Sequence, residues 1–434
     1  MIENTAGGGN VFRSRNFRLV FFGALVSELG ALLYSFAVSF YILEISGNNA
    51  FLQGLYLALC GAALLLFTPV GGVLGDRFSK ARIMVFCDFA KGGLILLATA
   101  LMLVFRSPAA HIAVLFVLGT VGNAISGIFN PAASALFPHI VEEERLQQAN
   151  AYFSVKNSLN SIFGVVLAGV LYAALPITLL FGLVGLCFLL SGASEMFIRY
   201  ERRPPEERLT LRLALSDMRD GLAYLRAQKA ILTLMTAILF INFFFSPIGS
   251  NFIPYFIKTD VASAPAYLLD GLLTPELWSS VFSMMIGASA LIGSVILSAR
   301  PQEEKVGRRT ALRLCAVAAV MLLLAVSYWL LVSRGLSLNA FLVVFCLGCL
   351  LTGVLVVFVN IPVSTALMRV VDRDKLSKVS SVVSVISQGL IPFASVLAGA
   401  VLQGFGSAPL LFACTFGFAA AALFLLFSPR AKDI

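Results

Sequence analysis

Apolar stretches of roughly 20 residues, the length at which a helix spans a bilayer, alternate with short charged segments along the chain. This pattern predicts an all-α polytopic membrane protein. The boundaries between apolar and charged positions predict twelve transmembrane helices, at residues 17–43, 51–74, 83–105, 112–137, 150–174, 176–198, 230–257, 277–299, 311–333, 339–366, 380–403 and 409–428.

Part of the sequence is repeated within the chain. Residues 128–171 align without a gap to residues 358–401, with 11 identities in 44 positions. Each copy holds two apolar segments joined by a charged loop. A repeat of this kind in a very apolar chain predicts two similar membrane halves. Transporters with such repeats bind substrate between the two halves, near the bilayer midplane. We assign these halves to residues 1–198 and 230–434, joined by a linker at 199–229.

The linker contains two consecutive prolines, and the residues that follow include apolar side chains at helical spacing. These residues are Leu211, Leu215, Met218, Leu222 and Leu225. They predict an amphipathic helix on the cytoplasmic membrane surface or against the bundle. It would serve either as a latch between the halves or as a solubilised linker. The external stretch 258–276 has no counterpart in the first half, and the sequence assigns it no role.

Composition and charge support the membrane assignment. The chain is 59% hydrophobic and 12% charged, whereas a soluble domain is about 25% charged. The net charge of +9 does not indicate nucleic-acid binding, because the basic residues concentrate on one side. With the N-terminus in the cytoplasm, cytoplasmic segments hold 26 Lys and Arg and external segments hold 3. The positive-inside rule therefore predicts that both termini are cytoplasmic.

The cysteines and histidines indicate no metal site. All seven cysteines lie in apolar segments, which predicts buried thiols rather than disulfides. Cys346 and Cys349 have the spacing of half a metal site, but there is no second pair, and His111 and His139 are distant in sequence. We therefore expect no metal and no cofactor. The first apolar run is about 26 residues, too long for the core of a signal peptide.

The segment between the second and third predicted spans, residues 72–82, reads GVLGDRFSKAR. It resembles the signature loop G-x-L-A-D-R-x-G-R-R-R of the major facilitator superfamily, with Ser79 in place of the second glycine and Ala81 at a basic position. The resemblance implies two pseudo-symmetric six-helix bundles and alternating access. It also implies a cytoplasmic lock between Asp76 and residues 378–381. The gating residues it implies are Gly72, Gly75, Asp76, Arg77, Lys80 and Arg82.

Other motifs resemble one bacterial branch of that superfamily, which includes macrolide-efflux proteins and the enterobactin exporter. They are FNPA at 129–132, ERL at 144–146, ANA at 149–151, and Asn242 with two prolines in the seventh span. The chain departs from many drug antiporters in two places. The fifth span lacks a Gly-Pro motif, and the fourth span contains no arginine.

Two acidic residues within predicted spans are candidates for proton coupling, because ionisable groups in a membrane are costly and mark functional sites. Glu28 lies near the middle of the first span, on a face with Ser35 and other small residues. Burial there would let it exchange a proton or pair with a cationic substrate; alternatively, it hydrogen-bonds a neighbouring helix. Asp88 is the second candidate, three residues before Lys91, and an ion pair with a structural or gating role is the favoured interpretation.

Polar stripes on several predicted spans suggest the wall of a substrate cavity, although such stripes also hold membrane helices together. Lys156 either lines the cytoplasmic vestibule or extends to the membrane surface. The cavity candidates are Ser35, Asn123, Asn130, Asn157, Asn242, Ser246, Asn360 and Gln388.

Function follows from the span count, the resemblance and the absent motifs. The chain contains no H-E-x-x-H, no Walker loop and no G-x-S-x-G elbow, which argues against an enzyme and against ATP coupling. We expect a monomeric secondary transporter in a bacterial inner membrane that exports an amphipathic, drug-like or siderophore-like compound, coupled to protons. The alternatives are a lipid or siderophore transporter, a uniporter, or a non-transporting sensor or scaffold.

Overall fold

The computed structural model describes residues 11–141, 145–199, 228–298, 306–370 and 387–429, together with 216, 219, 223, 383 and 385. No strand occurs among these residues, and twelve of their helices are long and apolar enough to cross a membrane. The all-α class and the twelve spans are thus confirmed. We number the spans α1–α12: Arg15–Ile45, Ala50–Gly75, Lys80–Val104, Pro108–Phe137, Tyr152–Ala174, Ile177–Glu195, Ile231–Val261, Leu277–Leu297, Gly307–Val332, Leu338–Ser364, Ser387–Phe405 and Ser407–Phe427.

The turn between α1 and α2 shows how little chain reverses direction between spans. Gly47 and Asn48 adopt φ values of 66° and 62°, a left-handed region that glycine and asparagine enter at low cost. The Asn49 side chain then accepts a hydrogen bond of 3.1 Å from the backbone N–H of Leu52 and caps α2. We refer to the end of the bundle that carries this turn as the outer end.

Glycines allow close helix packing in the N-terminal half. A Cβ atom on Gly92 of α3 would lie 3.0 Å from the carbonyl oxygen of Gly185 on α6. One on Gly71 of α2 would lie 2.6 Å from the Cα atom of Ile128 on α4. Backbones that approach this closely gain van der Waals contact, which is a main source of helix association in lipid. Small residues therefore fix which helices of this half are neighbours.

Aromatic side chains form much of the core of the C-terminal half. Phe252 and Phe256 of α7 are fully buried beside Phe341 of α10 and Tyr328 of α9. The ring centroids of Phe256 and Phe341 are 5.2 Å apart in an edge-to-face arrangement, the geometry that aromatic pairs prefer. This cluster holds α7, α9 and α10 together near the outer end.

The two halves contact each other along two seams, and the contacts lie toward the outer end. In the seam between α2 and α11, a Cβ atom on Gly399 would lie 3.1 Å from the Cα atom of Phe51. In the seam between α5 and α8, the Ser280 hydroxyl donates a hydrogen bond of 2.7 Å to the carbonyl oxygen of Val165. The halves are therefore closed against each other at the outer end.

The second and seventh helices extend beyond their predicted ends. The helix of α2 continues to Arg77, so Asp76 lies in its last turn rather than in a loop. The helix of α7 continues to Val261 through wide turns at Ile248–Phe252 and Ile257–Val261, so the outer connection begins after Val261 rather than at 258. The hydropathy of the sequence falls at the first charged residue, and the prediction therefore ends the span there. The helix itself can continue, because charged side chains near the end of a span extend to the polar boundary of the membrane.

Two predictions concern residues that lie outside the described part of the chain. The predicted amphipathic helix of the linker lies outside the described residues, apart from the isolated positions 216, 219 and 223. Residues 378–381, the implied partners of Asp76, also lie outside them. The amphipathic helix and the lock therefore stay predictions.

Candidate functional site

Glu28 forms an ion pair inside the N-terminal half. The ammonium of Lys156 on α5 contacts Oε1 of Glu28, and Asn160 donates a hydrogen bond of 3.1 Å to Oε2. The Lys156 side chain is 1% exposed and the Glu28 side chain is 46% exposed. The ammonium also lies 4.8 Å from the centre of the Phe153 ring. Because Lys156 and Asn160 are four residues apart on one helix face, α5 presents both to the carboxylate of α1.

This geometry corrects the expectations for both charged residues. Burial of Glu28 was expected and is wrong, because the carboxylate is about half exposed. Glu28 does contact a neighbouring helix, through Lys156 and Asn160 of α5, and its role in proton exchange stays a prediction. The two alternatives for the Lys156 side chain, lining the cytoplasmic vestibule or extending to the membrane surface, are both wrong, because the side chain is buried against Glu28. The pair was missed because the two residues are 128 positions apart in sequence.

Glu28 opens into a space between the halves, which we call the interface cavity. It consists of three adjoining cavities of about 400, 200 and 520 Å³, each lined in part by Leu32. Asn157 lines the first and third, and Ser35 lines the first two. The C-terminal half contributes Ser250 to the second and Ser283 to the third. The ion pair therefore lies beside a cavity with walls from both halves.

The other cavity candidates have different surroundings. Asn123 lines a separate pocket of about 280 Å³ within the N-terminal half, which Ser35 also lines. Asn242 donates a hydrogen bond of 2.9 Å to the carbonyl oxygen of Ser387 and so joins α7 to α11. The carbonyl oxygen of Ser246 accepts a hydrogen bond from Ser250. Asn130, Asn360 and Gln388 are exposed, and the cavities described above are lined by other residues.

Asp88 is buried on α3, with 1% exposure, but its predicted ion pair with Lys91 is not formed. No atoms of the two charged groups come within 4.0 Å of each other in the described part of the chain. The Lys91 ammonium instead lies 4.5 Å from the centre of the Phe188 ring on α6. The spacing of three residues permits such a pair but does not require it, and the aromatic ring offers the ammonium another favourable contact.

Glu195 is a buried carboxyl that the sequence analysis missed. It is 1% exposed at the end of α6, and neither carboxyl oxygen has a hydrogen-bond partner among the described residues. Asp88 Oδ2 is likewise without a partner there. The available signal was a lone acidic residue within the sixth predicted span, 176–198.

The implied gating residues lie at the opposite end from the outer seams. Gly75 is buried, and a Cβ atom on it would lie 4.0 Å from the Cα atom of Ala132 on α4. Gly72 and Lys80 are partly buried and Arg82 is exposed. A Cβ atom at this distance would make ordinary van der Waals contact, so the packing of α2 against α4 does not by itself require glycine here.

A second charged cluster lies at the outer end and was not predicted. The Lys258 ammonium lies 3.1 Å from Glu44 Oε2 and 3.0 Å from Glu276 Oε1. The Tyr172 hydroxyl donates a hydrogen bond of 3.0 Å to the same oxygen of Glu44. Glu44 and Tyr172 belong to the N-terminal half, and Lys258 and Glu276 belong to the C-terminal half. The cluster therefore connects the halves beside the closed seams.

Thiols and acidic groups show no metal-binding arrangement in the described residues. All seven cysteines are free thiols. Four of them are buried, as the apolar sequence around them predicted, whereas Cys187, Cys315 and Cys346 are only partly buried. Across the described ranges, no three side chains of His, Cys, Asp or Glu are placed to hold a metal ion.

The chain is similar to bacterial membrane transporters. It is 25% identical over 300 residues to the uncharacterised MFS-type transporter YkuC of Bacillus subtilis. This alignment covers 66% of this chain and 65% of that protein. It is 22% identical to macrolide efflux protein A of Streptococcus pyogenes, over 88% of this chain and 89% of that protein. It is 28% identical over 159 residues to the enterobactin exporter EntS of Salmonella typhi, over 36% and 37% of the two chains.

The fold is similar to that of a solved transporter structure. The crystal structure of a D-xylose-proton symporter superimposes with a TM-score of 0.69 at 13% identity, over 98% of this chain and 100% of that one. The family model described as Major Facilitator Superfamily matches residues 20–396. The family and its members are transporters of small molecules, which confirms the predicted secondary transporter and the expectation that the chain is not an enzyme. The chain is a multi-pass membrane protein and belongs to the major facilitator superfamily.

Proposed function

We propose that this transporter exports an amphipathic organic compound across a bacterial inner membrane, coupled to the inward movement of protons. Two relatives are named as exporters, one for macrolides and one for enterobactin. The observation that carries the coupling is the Glu28–Lys156 ion pair beside the interface cavity. A carboxylate there can exchange a proton with the cavity, because its side chain is 46% exposed.

Protonation of Glu28 would remove the charge that compensates Lys156. A buried ammonium without a partner is costly, so the protonated form favours a rearrangement that rehydrates or re-pairs it. The ion pair is then the form that follows proton release, with the outer end closed. Binding of substrate in the interface cavity and arrival of a proton from outside would alternate, which is the requirement for antiport.

The test uses purified full-length protein in proteoliposomes with an imposed proton gradient and a radiolabelled macrolide. Wild-type protein should accumulate the macrolide against its gradient. Glu28→Gln should exchange the macrolide across the membrane but not accumulate it. Asp270→Asn, a carboxylate in the exposed outer connection, is the matched control and should accumulate it like the wild type.

The siderophore, uniporter and scaffold alternatives each predict a different result. Enterobactin, used in place of the macrolide, tests the siderophore alternative. A uniporter would equilibrate the probe without regard to the proton gradient, and a sensor or scaffold would move none. Gradient-driven accumulation by Glu28→Gln would transfer the coupling role to another carboxyl, with Asp88 next to be tested. No transport of either compound by the wild type would contradict the proposed substrate class.

A further inference from the structure

The pocket of about 280 Å³ in the N-terminal half has the composition of a ligand site. It lies among α1, α2, α3, α4 and α6, so its described lining belongs to one half only. Tyr34, Tyr56 and Phe188 supply aromatic surface, and Asn123 supplies an amide. Ser35 lines both this pocket and the interface cavity, which makes the two spaces neighbours. We call it the N-terminal pocket.

Lys91 gives the N-terminal pocket a positive charge that its walls do not balance. No acidic residue is among the described residues that line it. The ammonium lies over the Phe188 ring, with no carboxylate within 4.0 Å in the described part of the chain. An ammonium has three donors, and a ring face satisfies its charge only in part. Charged groups within membrane spans are normally paired, so the site lacks an anion.

The nearby acidic residues do not fill this role. Asp88 lies about one helical turn before Lys91 on α3, and Glu195 ends α6. Both are buried to 1% exposure, and neither is among the residues that line the pocket. They contribute a background negative charge, but the hydrogen-bonding groups of Lys91 remain available on the pocket side.

We propose that the N-terminal pocket binds aromatic organic anions, with a carboxylate on Lys91 and the ring against Tyr34, Tyr56 and Phe188. A cavity of about 150 Å³ accommodates benzene, so a pocket of this volume suits a two-ring compound and is too small for a macrolide. Ligand pockets of this kind are largely apolar with a few polar groups that fix orientation, which matches the lining. This site goes beyond the proposed export through the interface cavity and does not depend on proton coupling.

The test measures binding of 2-naphthoate to the purified full-length protein by isothermal titration calorimetry. The neutral compound 2-naphthamide serves as the matched ligand. Naphthoate should bind about ten-fold more tightly than naphthamide, the effect expected of a hydrogen bond to a charged group. Lys91→Met should remove that preference, and Lys91→Arg should keep most of it.

Two further variants locate the site. Gly122 lines the pocket and has open space where a Cβ atom would lie, so Gly122→Leu should fill the pocket and weaken naphthoate binding without a backbone clash. Lys229→Met, which removes an exposed lysine at the start of the seventh helix, should leave naphthoate binding unchanged.

Equal affinity for naphthoate and naphthamide, or full affinity in both Lys91→Met and Gly122→Leu, would overturn the proposal. So would the absence of naphthoate binding to the wild type. Because binding is read directly, failure of macrolide transport leaves this result interpretable, and failure of naphthoate binding leaves the export proposal standing.

Discussion

At the scale of single residues, the two members of the Glu28–Lys156 ion pair differ in exposure. Glu28 is half exposed, whereas its partner Lys156 is almost fully buried. Water in the cavity can hydrate the carboxylate if the lysine is removed, but nothing comparable can hydrate the lysine if the carboxylate is removed. The energetic consequences of the two substitutions should therefore differ, although each breaks the same ion pair.

Glu28→Gln should destabilise the protein more than Lys156→Met, by a difference that approaches the roughly 3 kcal/mol associated with an uncompensated buried charge. The double variant should be more stable than Glu28→Gln alone, because it removes the unpaired ammonium. Thermal unfolding of the purified variants in detergent, analysed as a double-mutant cycle, measures both effects. A lower unfolding temperature for Lys156→Met than for Glu28→Gln would contradict this prediction.

At the scale of helices, the closed outer end depends on close backbone contact. The α2–α11 seam leaves no space for a side chain at Gly399, and the Lys258 cluster adds charged contacts beside the seams. Partly exposed ion pairs of this kind contribute little, about 0–1 kcal/mol each. The steric fit of the seam therefore determines whether the outer end can close, and the charges adjust the balance.

Gly399→Leu should hold the outer end open, because its Cβ atom would lie 3.1 Å from the Cα atom of Phe51. Gly404→Leu is the matched control on the same helix, since nothing lies within 4 Å of its Cβ position. Distances between spin labels at the outer ends of the two halves measure the outcome. The Gly399 variant should shift most of the population to longer distances, whereas an unchanged distribution would show that the seam is not a determinant of closure.

At the scale of the whole molecule, the twelve helices pack as two sets joined at the outer end, and we predict their orientation in the membrane from the distribution of charge. The division at 198 and 230 and the cytoplasmic termini are predictions. The charge asymmetry also predicts that the end opposite the outer seams faces the cytoplasm. With the outer end closed, the interface cavity would then be reached from the cytoplasmic side, as an exporter that loads its substrate there requires.

Labelling with an impermeant thiol reagent in intact cells tests this orientation. Ser333→Cys, in the exposed turn after α9, should react from outside. Ser428→Cys, just after α12, should react only after the membrane is permeabilised. The native cysteines are buried or partly buried, and the unmodified protein measures the background that they contribute. Reaction of Ser428→Cys in intact cells would reverse the topology.

The sequence by itself determined the class of the protein, because the relevant information is local. The length of each apolar run sets the number of spans, and the signature segment from Gly72 to Arg82 indicates the family. The free energy of transfer from water to lipid can be summed residue by residue along each apolar run. For the same reason Glu28 and Asp88 could be recognised as unusual within their spans.

Only the tertiary structure decided which of these groups meet. The partner of Glu28 is Lys156, on a helix far along the chain, and Lys91 faces Phe188 rather than the nearby Asp88. The seams at Gly399 and Ser280 depend on the distance between two packed helices. The spacing of residues within one helix does not predict that distance. Pairing and closure arise from the packing of separate helices, whereas insertion into the membrane depends on each helix alone.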